Sequence, residues 1–164
     1  MADLLTHVLV PYVLLTVASW RVGWITDRWI AVGMGGAAIP DLVKIHVLID
    51  DSTVASALGV PFSFDPISSI AGLVLLGGAI ALLFGEYRRR AFAFLAFGGA
   101  TALALDGLRV FADGRSDFWL YPLWWRPPTP SLYVTSNPLV LAVALVVAGG
   151  VFTVDRYRRC EAAA

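Results

Sequence analysis

The chain has 164 residues, 59% of them hydrophobic and 15% charged, with 12 Lys plus Arg against 12 Asp plus Glu. A soluble domain is about 45–50% apolar and about 25% charged, so the composition excludes most soluble folds and makes lipid the natural solvent. One cysteine, Cys160, excludes an internal disulfide and a cysteine zinc cluster, and no run of like charge exceeds Arg88–Arg90, which speaks against a nucleic-acid partner.

A membrane-spanning helix needs about 20 mostly apolar residues, within roughly 17–25, and five stretches approach that length. The first, Leu4 to Trp20, begins too soon after Met1 and lacks a preceding basic residue, so it does not read as a cleaved signal peptide. The second, Trp29 to Ile49, contains Pro40, Asp41, Lys44 and His46 and is expected to break near Pro40. The third runs from Pro66 to Gly85, the fourth from Ala91 to Phe111 and the fifth from Pro138 to Val154. Asp65-Pro66 and Asn137-Pro138 read as N-caps followed by proline in the first turn. Glycines recur at helical spacing, as in Gly33, Gly35, Gly36, Gly72, Gly77, Gly78, Gly98, Gly99, Gly149 and Gly150. In lipid such residues let helix backbones approach closely.

The expected fold is therefore all-α: a single integral-membrane domain over residues 1–164, a polytopic bundle of about five transmembrane helices. Its one sizeable loop, 112–137, carries Trp119, Tyr121, Trp124, Trp125 and Tyr133 among prolines and is expected to lie on the membrane surface. Eight arginines (Arg21, Arg28, Arg88, Arg89, Arg90, Arg156, Arg158 and Arg159) fall on one side and at most four basic residues on the other. The excess marks the cytoplasmic side, which places the amino terminus and the long loop outside a cell membrane and the carboxy terminus inside.

At about 1.5 Å per residue, His7, Asp41 and Asp106 then lie roughly 20 Å above the cytoplasmic helix ends, with Ser68 and Ser69 slightly higher. Ionisable groups in spans are costly and face the bundle interior, a cavity or one another. Two readings follow. In one, His7, Asp41 and Asp106 hold a divalent metal (Zn, Mn or Mg), with Asp65 or His46 as general base, and its activated water hydrolyses a lipid-like substrate. In the other, Asp41 pairs with Lys44 and Asp106 with Arg109, each at i+3 on one helix face, while His7 bonds Asp3 at i−4 or a carbonyl. Ser68 and Ser69 are either first-turn residues or, given a histidine base, nucleophile candidates.

The runs MADLLTHVLV, GGAAIPDLVKI, PISSIAGLVLL, ALDGLRVF and LYPLWWRPP, in that order along nearly the whole chain, resemble the small integral-membrane proteins described as membrane-bound metal-dependent hydrolases. The resemblance implies a bundle of about four or five helices with a metal site built from the first-helix histidine, the Pro-Asp of helix two, a histidine-serine pair opening helix three and a His-x-x-x-Asp in helix four. His7, Pro40, Asp41, Ser69 and Asp106 match that pattern, whereas Ser68 and Ala102 stand where it has histidines and Val43 where it has a second acid. The alternative is a non-catalytic membrane subunit or homo-oligomer that binds a partner protein or lipids through the aromatic loop and the Gly-rich helix faces.

Overall fold

The computed structural model describes residues 4–134 and 137–163. Asp3, the expected neighbour of His7, lies outside them. Among the described residues the chain is all-helical, with two isolated bridges and no strand. The α-helices are α1 (Leu4–Ser19), α2 (Asp27–Ala37), α3 (Asp51–Leu58), α4 (Ile70–Leu82), α5 (Arg88–Gly107) and α6 (Pro138–Ala163).

The second apolar stretch breaks where proline requires. After α2 a 3-10 segment, Pro40–Val47, continues at 44° to it, because Pro40 has no N–H to extend the α-helical ladder. The third stretch is divided as well. Asp65–Ser68 forms a separate 3-10 turn, Ser69 is extended (φ −136°, ψ 167°), and α4 begins only at Ile70. Asp65 therefore does not cap the helix. Ser69 does, its Oγ accepting the Gly72 N–H at 3.2 Å while donating to the Pro66 carbonyl at 2.6 Å. At the start of α6 the expected cap is present, with Asn137 Oδ1 accepting the Leu139 N–H at 3.0 Å. Between the second and third apolar stretches lies α3, which Gly59 terminates at φ +70°.

By length and composition α6 is long and apolar enough to cross a membrane, and α2 with Pro40–Val47 passes the same test as a bent pair. The five-span expectation goes further than this. α1 has 16 residues and α4 has 13, which at about 1.5 Å each makes α4 roughly 20 Å long against a hydrocarbon layer of about 30 Å. The 20 residues of α5 include Arg88–Arg90 at one end and Asp106 at the other.

The core lies where α5 crosses α2, around Trp29, Ile30, Phe94, Leu95 and Leu103. Glycine sets that crossing: a Cβ on Gly98 would overlap the Gly33 carbonyl, and one on Gly36 the backbone of Leu95. The close-packing role expected of the glycines thus falls to Gly33, Gly36, Gly72, Gly98 and Gly99, while Gly35, Gly78, Gly149 and Gly150 face open space. α6 rests chiefly on α1. Arg159 ties α6 to the start of α2 as well, reaching both oxygens of Asp27 at 2.6 and 2.7 Å, and also bonds Asp155 on its own helix at 2.7 Å.

Candidate functional site

Three elements bring His7, Asp41 and Asp106 together. α1 carries His7, 1% exposed, and Pro11 four residues on cannot donate to the His7 carbonyl. The turn after the α2 break supplies Asp41, and the last turn of α5 supplies Asp106. The His7 ring stands between the two acids, Nδ1 3.7 Å from Asp41 Oδ2 and Nε2 3.5 Å from Asp106 Oδ1. Both distances exceed a hydrogen bond, so both ring nitrogens and Asp41 Oδ2 are buried without a hydrogen-bond partner.

Each carboxylate also meets the cation three residues further on. Lys44 Nζ is 2.6 Å from Asp41 Oδ1, Arg109 is 3.7 Å from Asp106 Oδ1, and Arg109 continues to Asp117 at 3.2 Å. The result is one row of ionisable groups, Lys44, Asp41, His7, Asp106, Arg109 and Asp117. All of these but His7 line a cavity of about 120 Å³, together with Pro40, Val43, Ser68 and the loop residues Phe111 and Trp119.

The long loop roofs this cavity. Trp119 lies against Gly107, where a Cβ would meet its indole, and donates its Nε1–H to Ser116 Oγ at 2.9 Å. The buried Ser116 hydroxyl donates in turn to the Pro127 carbonyl at 3.0 Å. Thr129 Oγ1 lies 3.1 Å from the Gly107 carbonyl and 2.6 Å from that of Arg109, tying the loop to the end of α5. The Tyr133 hydroxyl donates to the Leu105 carbonyl at 2.8 Å, and burial pushes its phenol above the ordinary tyrosine range. At the rim, the backbone N–H of Arg115 and the guanidinium of Arg126 hold the Asp113 carboxyl below the usual carboxylate range. The loop expected to lie flat is thus divided: Trp119 and Tyr133 turn inward, while Tyr121, Trp124 and Trp125 stay exposed.

The other sequence candidates separate. Ser68 lines the cavity beside Asp41 and Asp106, whereas Ser69 is fully buried and spends its hydroxyl on the α4 cap. Asp65 is exposed and its backbone N–H bonds Ser63. His46 is exposed too, its Nδ1 2.7 Å from the Val43 carbonyl. Neither reaches the cavity as a base. Sequence reasoning missed Asp117 and Trp119, since both arrive from a loop that has no periodicity to place its side chains.

A divalent metal requires donor atoms that converge on one point at about 2.0–2.6 Å. Here the two carboxylates lie at opposite ring nitrogens of a single imidazole, and the Lys44 ammonium sits on Oδ1 of Asp41, the oxygen that does not face the ring. Among the described residues no three His, Cys, Asp or Glu side chains are grouped as ligands. In this arrangement the donor atoms of the three residues do not converge on one point. Comparison with protein-family models, with curated proteins and with solved structures finds no match.

Proposed function

We propose that the chain is a multi-pass membrane protein on a scaffold similar to that of the membrane-bound metal-dependent hydrolases, in which the acid–imidazole–acid row is a charge-compensated lock. It serves as a non-catalytic subunit, binding a partner protein or lipids through the exposed aromatics of the loop. The observation that carries this reading is the 2.6 Å contact of Lys44 with Asp41, repeated more loosely by Arg109 on Asp106. Each acid already has its counter-charge three residues further on, Lys44 in the same 3-10 segment as Asp41 and Arg109 just past the end of α5, which lowers the cost of burial without a ligand. The membrane reading draws support from polarity within the helices: His7 and Asp41 face inward, while Leu5, Leu14, Leu75, Leu82 and Val146 point outward.

Metal analysis and thermal melting of the detergent-purified chain test the lock. The expected result is no stoichiometric zinc, manganese or magnesium and a melting temperature indifferent to chelator. Stoichiometric metal whose removal lowers the melting temperature overturns it. Extraction in mild detergent tests the subunit role, with a complex or oligomer expected that Trp124→Ala with Trp125→Ala weakens. A strict monomer with unchanged partners counts against it.

One observation favours the hydrolytic reading instead: His7 Nδ1, His7 Nε2 and Asp41 Oδ2 are buried without partners beside a cavity that Ser68 lines. Under that reading a bound cation has to displace Lys44, and Lys44→Met gains metal affinity. Under the lock it gains none.

A further inference from the structure

At the opposite ends of α2 and α5 from His7, arginines and aromatic rings form a second assembly. The Arg28 guanidinium lies 5.3 Å from the centre of the Trp29 ring and 5.6 Å from that of Tyr87. Arg90 lies 5.2 Å from Trp24 and 5.5 Å from the same Trp29. Beside them Arg88 and Arg89, with Gly85 and Glu86, frame an open depression. All four arginines are exposed.

Among the described residues no acid ties these arginines down, a freedom they share with Arg21, Arg115, Arg156 and Arg158, but only here do two of them converge on one ring. Arg109, Arg126 and Arg159 each hold a carboxylate, but among the described residues none of Arg28, Arg88, Arg89 and Arg90 has one within ion-pair distance. Stacking on a ring fixes the plane of a guanidinium and leaves its N–H edge and its full charge available. A planar fork with free donors matches a phosphate. The start of α5 adds the positive end of its dipole to the same place. The indole Nε1–H of Trp29, beneath both stacked arginines, is buried and unpartnered.

The surface next to this platform is apolar. Leu82 and Leu83, at the end of α4, are 67% and 84% exposed. A soluble anion would satisfy the arginines and leave that shoulder bare, whereas a lipid offers a negative head and a hydrocarbon tail side by side.

We infer that the Arg28–Arg90 platform with Arg88 and Arg89 binds the phosphate of an anionic phospholipid, the acyl chains lying along Leu82 and Leu83. The inference rests on the membrane reading above, and its test separates the two. Retention of the full chain in phosphatidylcholine vesicles through an alkaline carbonate wash checks the membrane reading alone, and loss of the chain there sinks that reading. Lipid binding is then read by native mass spectrometry of the detergent-solubilised chain, with phosphatidylglycerol, phosphatidylcholine, inorganic phosphate or a short single-stranded oligonucleotide added.

Phosphatidylglycerol adducts are expected to exceed phosphatidylcholine adducts. A basic residue near an anionic membrane surface contributes about fivefold, so Arg88→Gln or Arg89→Gln, which disturb no stacking, should each lower the phosphatidylglycerol preference about fivefold. Arg28→Gln with Arg90→Gln should lower it by roughly the square of that, and Arg28→Lys with Arg90→Lys should restore part of it. Equal uptake of the two lipids, or a preference unchanged in all three glutamine variants, overturns the inference. So does displacement of phosphatidylglycerol by inorganic phosphate or by the oligonucleotide at matched concentration, which makes the site one for a soluble anion or for nucleic acid.

Discussion

Replacing Lys44 by methionine removes one charge from the row while keeping an unbranched side chain only one heavy atom shorter. In the native chain the ammonium is 2.6 Å from Asp41 Oδ1, the Asp41 side chain is 10% exposed, and its other oxygen has no hydrogen-bond partner. Two unit charges about 4 Å apart at an effective dielectric constant of about 20 attract by about 4 kcal/mol. Removing one member of a fully buried pair costs about 3–5 kcal/mol. Lys44 is a third exposed, so solvent screens part of that attraction, and the expected loss is about 2 kcal/mol. For a chain of this size 1 kcal/mol shifts the melting temperature by about 2–4 °C, which makes the drop roughly 4–8 °C in detergent, followed by circular dichroism. The paired variant Lys44→Met with Asp41→Asn should recover most of it, because removing both charges leaves no orphan. A Lys44→Met protein that melts with the native chain, or a paired variant worse than either single one, refutes the lock.

Gly98→Ala drives a methyl group into the Gly33 carbonyl and should cost about 1–3 kcal/mol, while Gly149→Ala, which meets nothing within 4 Å, should be neutral or stabilising; melting temperatures of the two decide it. Trp119→Ala empties the roof of the cavity and leaves Ser116 without its indole donor, for a loss of about 3 kcal/mol. Trp124→Ala at an exposed position should stay within about 0.5 kcal/mol, and equal effects would mean that the roof bears no weight. Arg159→Ala breaks an exposed tie and should cost no more than about 1 kcal/mol, yet it should speed proteolysis of α6. Unchanged cleavage would show that α1 alone holds that helix.

How much of this was legible depends on the residue. The break at Pro40 follows from one missing N–H, and the Asp41–Lys44 pair follows from helical spacing, whereas Arg109 meets Asp106 from beyond the end of α5 and not from the helix face expected. That His7 inserts between both acids depends on how α1 packs against α5 and the broken α2, and no local pattern carries that. Hydropathy marks the end of the α6 apolar stretch near Val154, but the helix continues to Ala163, since charge ends burial and not helix formation. It missed α3 for the converse reason: eight residues with no buried side chain have no apolar stripe to read. Asp65 was misjudged because Asp-Pro opens a 3-10 turn as readily as an α-helix, and only the extended backbone at Ser69 reveals where α4 starts.

The attachment of α6 has a mechanical consequence. The helix shares one seam with α1 and closes with a single arginine fork on Asp27, whereas the crossing of α2 and α5 is locked by backbone against backbone. Pulled from its carboxy terminus, the chain should yield in two stages. α6 unzips first at low force, and the remaining helices resist until the glycine contacts part.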